Sequence, residues 1–173
     1  LLDKAMDGVD VVVHCAAALP SWKKKDIFSS NVDGHRNVME MALNKKVKRV
    51  VHISSAAVYG VPDHAPLLEE DERHAVGMYG ETKIMGDKIC EEYRNKGLCV
   101  SVLCPVTFLG PGRLGIFSVL YDWVSRGKNI PLIGDGSNKY QLLDVDDLID
   151  AIYLCMTLAE NKVNDYFNIG SEK

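Results

Sequence analysis

Arg49-Val50-Val51-His52-Ile53-Ser54-Ser55-Ala56-Ala57-Val58-Tyr59-Gly60 is the stretch that decides the fold. Its first half is a short apolar run of the kind that a parallel sheet buries on both faces. Working outward, Val9-Asp10-Val11-Val12-Val13-His14 upstream and Leu98-Cys99-Val100-Ser101-Val102-Leu103-Cys104 downstream read the same way. Between the first two runs the spacing predicts a helix from Ile27 to Lys45, with Asn37, Val38, Met41 and Ala42 facing inward. After Gly60 comes a long loop carrying Pro62, Pro66 and the acidic residues Glu69 to Glu72, and loops of that length in a compact domain are functional or mobile. A second helix then runs past Tyr79 to Asn95, where Lys96-Gly97 supplies a C-terminal stop. Strands alternating with crossover helices predict an α/β protein with a doubly wound parallel sheet.

Beyond Pro105, Gly110-Pro111-Gly112 turns the chain. A helix from Gly115 to Arg126 follows, then short strands at Ile130 to Ile133 and Tyr140 to Leu143, separated by Gly134-Asp135-Gly136. Asp144, with Asp147 three residues on, opens a helix that reaches Leu158, and Tyr166 to Ile169 is a last strand. At 173 residues and 47% hydrophobic the chain can bury one sizeable core. Its apolar runs are too short for a membrane span, and a net charge of −4 gives no reason to expect nucleic acid. Lys23-Lys24-Lys25 reads as a solvated surface. Cys15, Cys90, Cys99, Cys104 and Cys155 sit in apolar segments, with no Cys-x-x-Cys pair and no histidine at ligand spacing. They read as reduced core thiols of a cytoplasmic protein, and no metal site is expected.

Tyr79 and Lys83 are separated by one helical turn, so phenol and ammonium share a face, and Ser55 at the end of the preceding strand can approach the same point. A tyrosine near its reference pKa of about 10 is a poor base at neutral pH, and a neighbouring cation corrects that. The combination suits proton transfer accompanying a hydride shift: Tyr79 takes the proton of a secondary alcohol, Ser55 hydrogen-bonds the same oxygen, and Lys83 favours the phenolate. Other polar residues have blander readings. His14 and His52 read as satisfied core residues, Tyr59 as packing, and Asp146 and Asp147 as helix capping.

Several stretches occur in an order and spacing that resemble the extended short-chain dehydrogenase/reductase family, the NAD-dependent epimerases and dehydratases of sugars and related alcohols. They are Asp10 to Ala17, Asn31 to Val38, Ser54 to Gly60, Tyr79 to Lys83, Pro105 to Gly112, Gly134 to Gly136, Val145 to Asp147 and Phe167 to Gly170. The resemblance implies a Rossmann-like fold, with residues 1–112 the C-terminal half of the nucleotide-binding domain and residues 113–173 part of a substrate-binding region. It implies that Ser55, Tyr79 and Lys83 are catalytic, that Tyr79, Lys83, Cys15, Ala16, Ala17, Asn31 and Pro105 line an NAD site, and that Ser55, Ala56 and Thr107 meet substrate. NADP is left open, because the residue that selects between the two lies outside the sequence.

The family's Gly-x-x-Gly-x-x-Gly turn is absent, and Leu1 to Met6 reads as the tail of a helix. The first strands, about 60 residues, are therefore expected upstream of Leu1. Cys104 and Thr107 stand where many members have arginine and asparagine, and His35 stands where threonine is usual, which reads as a surface substitution without a function. Ala56-Ala57 replaces the Asp-Glu of the dehydratases, which disfavours elimination. The implied activity is epimerisation or dehydrogenation of a nucleotide sugar. Reduction of a non-sugar, 3-hydroxysteroid-like ketone is the alternative, and a catalytically silent nucleotide-sensing scaffold is a third reading. A homodimer through the Tyr79 helix and the preceding long helix is also implied.

Overall fold

The computed structural model describes residues 1–112, 115, 117–131, 134–137 and 139–171. Four parallel strands form the main sheet: β1 (Val11–His14), β2 (Arg49–Ile53), β3 (Cys99–Pro105) and β6 (Tyr166–Ile169), in the order β1-β2-β3-β6. The register pairs His14 with His52, Val51 with Ser101 and Leu103 with Phe167. Because side chains alternate across a strand, each strand feeds two cores. Val50, Val100, Val102 and Cys104 pack against Met39 and Ala42 of α3 (His35–Asn44) and Ile89, Cys90 and Tyr93 of α4 (Gly77–Asn95). On the opposite face Val51, Leu103 and Phe167 pack against Leu148, Ile152 and Cys155 of α6 (Val145–Thr157). Helices therefore cover both faces, and the expected doubly wound arrangement is found.

Several elements differ from expectation. β1 is not buried on both faces: Val13 is 37% exposed, because β1 is the edge of the described sheet. The helix expected over Ile27 to Lys45 is α2 (Lys24–Phe28), a π-helical turn at Ser29–Gly34 and then α3. Asn31, His35, Met39 and Ala42, at the i, i+4 and i+3 spacing of one helical face, point inward while Asn37 is exposed. The strand expected at Ile130 to Ile133 is absent at Ile130 and Pro131, and Leu132 and Ile133 lie outside the described residues. Instead β4 (Thr107–Leu109), unanticipated, pairs in parallel with β5 (Leu142–Asp144).

Asp144 caps α6 as expected, its carboxylate accepting from the Asp146 N–H at 2.9 Å. The long loop after the short 3₁₀ turn Ala56–Tyr59 is tied down. Glu69 accepts from the Asn168 N–H at 2.8 Å, Arg73 pairs with Asp87 at 3.1 Å, and the Tyr59 hydroxyl donates to Asn168 at 3.0 Å. Among the described residues no helix is long and apolar enough to cross a membrane.

Candidate active site

Ser55, Tyr79 and Lys83 open onto one cleft of about 1000 Å³ at the C-terminal ends of β1, β2 and β3. Crevices beyond the strand ends are where open parallel sheets bind ligands. Ser55 is the N-cap of the 3₁₀ turn, and its Oγ accepts from the Ala57 N–H at 3.2 Å, which leaves the serine O–H to donate into the cleft. Tyr79 lies in the first turn of α4. Gly80 beside it allows the close approach: a Cβ there would sit 2.8 Å from the Ala57 carbonyl and 2.7 Å from the Ala75 Cβ. The Lys83 ammonium lies 5.9 Å from the centroid of the Tyr79 ring and donates to the Ile53 carbonyl at 2.8 Å. Only 5% of Lys83 is exposed; burial lowers its pKa, and the Asp87 carboxylate opposes that shift.

Cys15, Ala17, Pro105, Ala56 and Thr107 also line the cleft. Burial raises the pKa of the Cys15 thiol, and the Lys83 charge works against it. The Thr107 hydroxyl lies 2.6 Å from that of Tyr140, joining two walls. Ala16 is exposed on the same β1 loop. Asn31 sits behind the wall. Its Oδ1 accepts from the Ala18 N–H at 2.7 Å, and its Nδ2 donates to the Ala18 carbonyl at 3.3 Å and to Thr82 Oγ1 at 3.1 Å. The asparagine thus clamps the β1 loop to the helix that carries Tyr79 and Lys83. Leu148, Ile149 and Ile152 of α6, with Trp22 and Gln141, complete the lining. The cap at Asp144 predicted a helix here, but nothing local told which of its apolar residues would face the cleft.

Behind Lys83 lies a buried charged cluster. Asp87 is fully enclosed, and burial pushes its carboxyl up to about 6 against the opposing pull of Arg73, Lys83 and Arg94. Arg73 and Arg94 both stack on the Tyr166 ring, with centroid distances of 4.2 and 4.4 Å. Cys104 closes the floor, its thiol pushed up to about 12 by burial.

The histidines depart most from expectation. His35 is not on the surface: it is fully buried, and it packs against His14 and His52, with ring centroids 4.8 and 4.1 Å away. Nor are His14 and His52 satisfied core residues. His14 Nε2, His35 Nδ1 and both ring nitrogens of His52 have no hydrogen-bond partner among the described residues. Burial holds His14 down at about 4 and His35 at about 3, with Lys83 adding to the effect, so all three rings are neutral near pH 7.

Comparison with known proteins bears on the family and the fold. The model of the NAD dependent epimerase/dehydratase family matches residues 1–170. An uncharacterized protein, y4nG, of Sinorhizobium fredii is 38% identical over 170 residues, covering 97% of this chain and 42% of that protein. UDP-glucose 4-epimerase of Lactobacillus helveticus is 29% identical over 189 residues, covering 95% of this chain and 57% of the enzyme. The crystal structure of UDP-glucuronic acid 4-epimerase from Bacillus cereus in complex with NAD superimposes with a TM-score of 0.90 at 26% identity, over 100% of this chain and 58% of that one. The chain thus spans about half the length of the relatives it matches.

Proposed function

The chain belongs to the NAD dependent epimerase/dehydratase family, and we propose that it provides the proton-transfer centre of an enzyme that oxidises a secondary alcohol of a nucleotide sugar, as an NAD-dependent epimerase or dehydrogenase. The observation that carries the reading is the convergence of Ser55, Tyr79 and Lys83 on one cleft.

The residues present fit a nicotinamide dinucleotide. Small side chains at Ala17 and Pro105 leave room for a flat ring against the strand ends, and Lys83 uses one of its three N–H donors on Ile53, so two remain for a ribose diol. When bound, such a cofactor supplies the hydride acceptor. The chain itself handles the proton. Tyr79, as phenolate, accepts it from the substrate hydroxyl, and the Lys83 ammonium stabilises that phenolate. The Ser55 O–H donates to the same substrate oxygen and fixes its distance from Tyr79. Asn31 acts at one remove, by keeping the β1 loop and α4 in register.

A nucleotide sugar is favoured because more of the relatives with a named activity are named for nucleotide-linked sugars, as UDP-glucose 4-epimerase and UDP-glucuronic acid 4-epimerase are, than for steroids. Epimerisation or simple oxidation is favoured over dehydration because Ala56 and Ala57 present no carboxylate beside Ser55. Pairing of two copies through α3 and α4 belongs to the same proposal. The test is Tyr79→Phe in the full-length protein, assayed with a panel of UDP- and dTDP-sugars for interconversion and for absorbance of the reduced cofactor. Loss of the proton acceptor is expected to lower kcat/KM by about 10²–10⁴-fold. Undiminished turnover refutes the role.

A further inference from the structure

We propose that His14, His35 and His52, together with Cys90, form a buried site for one divalent transition-metal ion of the zinc class. His14 and His52 are register partners on adjacent parallel strands, and His35 reaches them from the first turn of α3. One ring nitrogen from each falls within 4.8 Å of the others, and all three residues are at least nine-tenths buried. The unpartnered nitrogens of His14 and His52, with the His35 nitrogen that faces Cys90, are neutral imidazole donors, which suit zinc, copper, nickel or cobalt and not the oxygen-seeking alkaline-earth ions.

Cys90 lies beside the three-histidine group and not within it, its Sγ 3.4 Å from His35 Nε2, and it reaches a fourth position once that ring turns. Zinc bonds of about 2.1 Å to nitrogen and 2.3 Å to sulfur at a tetrahedral angle put the two atoms about 3.6 Å apart. In the metal-free arrangement the rings stack, with interplanar angles of 13° to 34°. Rotation of the imidazoles about Cβ–Cγ is therefore required to aim the lone pairs at one point. Gly86 abuts the group: an added Cβ there would have His52 Nε2 at 3.5 Å, His35 Cδ2 at 3.7 Å and the Asn31 backbone carbonyl at 3.8 Å as its neighbours. Binding deprotonates the Cys90 thiol, the proton leaving to solvent with no change of oxidation state. The occupied site would tie β1, β2, α3 and α4 together immediately behind the catalytic lysine.

The experiment strips the full-length protein with a chelator, reloads it with Zn²⁺ or Co²⁺, desalts it and measures metal content and the visible spectrum. Neither readout depends on turnover, so failure here is separable from failure of the Tyr79 mechanism. One equivalent per chain is expected, with tetrahedral Co²⁺ bands and a near-ultraviolet thiolate band. His35→Gln is expected to weaken retention by roughly 100-fold or more, since even the loss of an outer-shell partner costs up to that much. Gly86→Ala places its methyl at ordinary contact distance from the His52 and His35 rings, so the chain folds while the rings are hindered from turning, and the same loss is expected. Cys90→Ser is expected to abolish the thiolate band. Absence of retained metal in the wild-type protein, or retention undiminished in folded His35→Gln and Gly86→Ala, overturns the site; absence of the thiolate band in the loaded wild type overturns the assignment of Cys90.

Discussion

Replacing Asn31 by Ala tests the claim that the active site is held together from behind. The side chain is 4% exposed and makes three hydrogen bonds: one from the Ala18 N–H, one to the Ala18 carbonyl and one to Thr82 Oγ1. Each intramolecular hydrogen bond contributes a net 0.5–1.5 kcal/mol, and a buried donor left without a partner costs about 1–3 kcal/mol. The Ala18 N–H loses its acceptor, while Thr82 keeps its own bond to the Tyr79 carbonyl at 2.8 Å. Taking 1–3 kcal/mol for the orphaned N–H and 0.5–1.5 for each of the other two bonds gives about 2–6 kcal/mol. With a urea m-value of about 2 kcal/mol/M, that is a fall in midpoint of about 1–3 M at constant m. The assay is equilibrium urea unfolding of wild type, Asn31→Ala, Thr82→Val and the double variant. Asn31 and Thr82 share one bond, so their effects should fall short of additivity by about 1 kcal/mol. A loss below about 0.5 kcal/mol for Asn31→Ala refutes the clamp.

Two further outcomes follow from packing and burial. Gly80→Ala forces a Cβ into the Ala57 carbonyl, a backbone atom that cannot swing away, so a loss of about 1–3 kcal/mol in unfolding free energy and a displaced Tyr79 with reduced kcat are expected; unchanged stability and kcat would contradict the close approach. Asp87 titrates near 6 in the fold against an ordinary 3.8, so the native state holds its proton more tightly than the unfolded chain does. Its contribution to stability is therefore most favourable below about pH 4 and declines as pH rises through 6, by about 3 kcal/mol at 1.36 kcal/mol per unit. The stability difference between wild type and Asp87→Asn, measured by denaturation from pH 4 to 7.5, should shrink along that course; a flat difference contradicts it.

The parallel sheet was legible because Val50, Val51, Val100 and Val102 belong to apolar runs with no polar face, which only a sheet covered on both sides makes stable. Ser55, Tyr79 and Lys83 were legible because their proximity depends on one helical turn and one strand end, both local. Asn31 was expected to line the cofactor site and sits behind the cleft wall instead; its hydrogen bonds to Ala18 and Thr82 span 13 and 51 positions, and no local signal separates an amide facing a ligand from one that pins a loop.

His35 lies four residues after Asn31, so helical winding brings the two to within about 40° of one another, whereas Asn37 lies about 160° from His35; taking Asn37 as the inward residue therefore sends His35 to solvent. His14 and His52 come together for a different reason: parallel pairing aligns residues 38 positions apart, and the strand periodicity then puts both on the α3 side. The cluster is thus the product of one helical face and a strand register. Three imidazoles buried in neutral form with unpartnered nitrogens are costly to keep unless a ligand uses them, and metal content is the measurement that decides between a cost left standing and one that is offset.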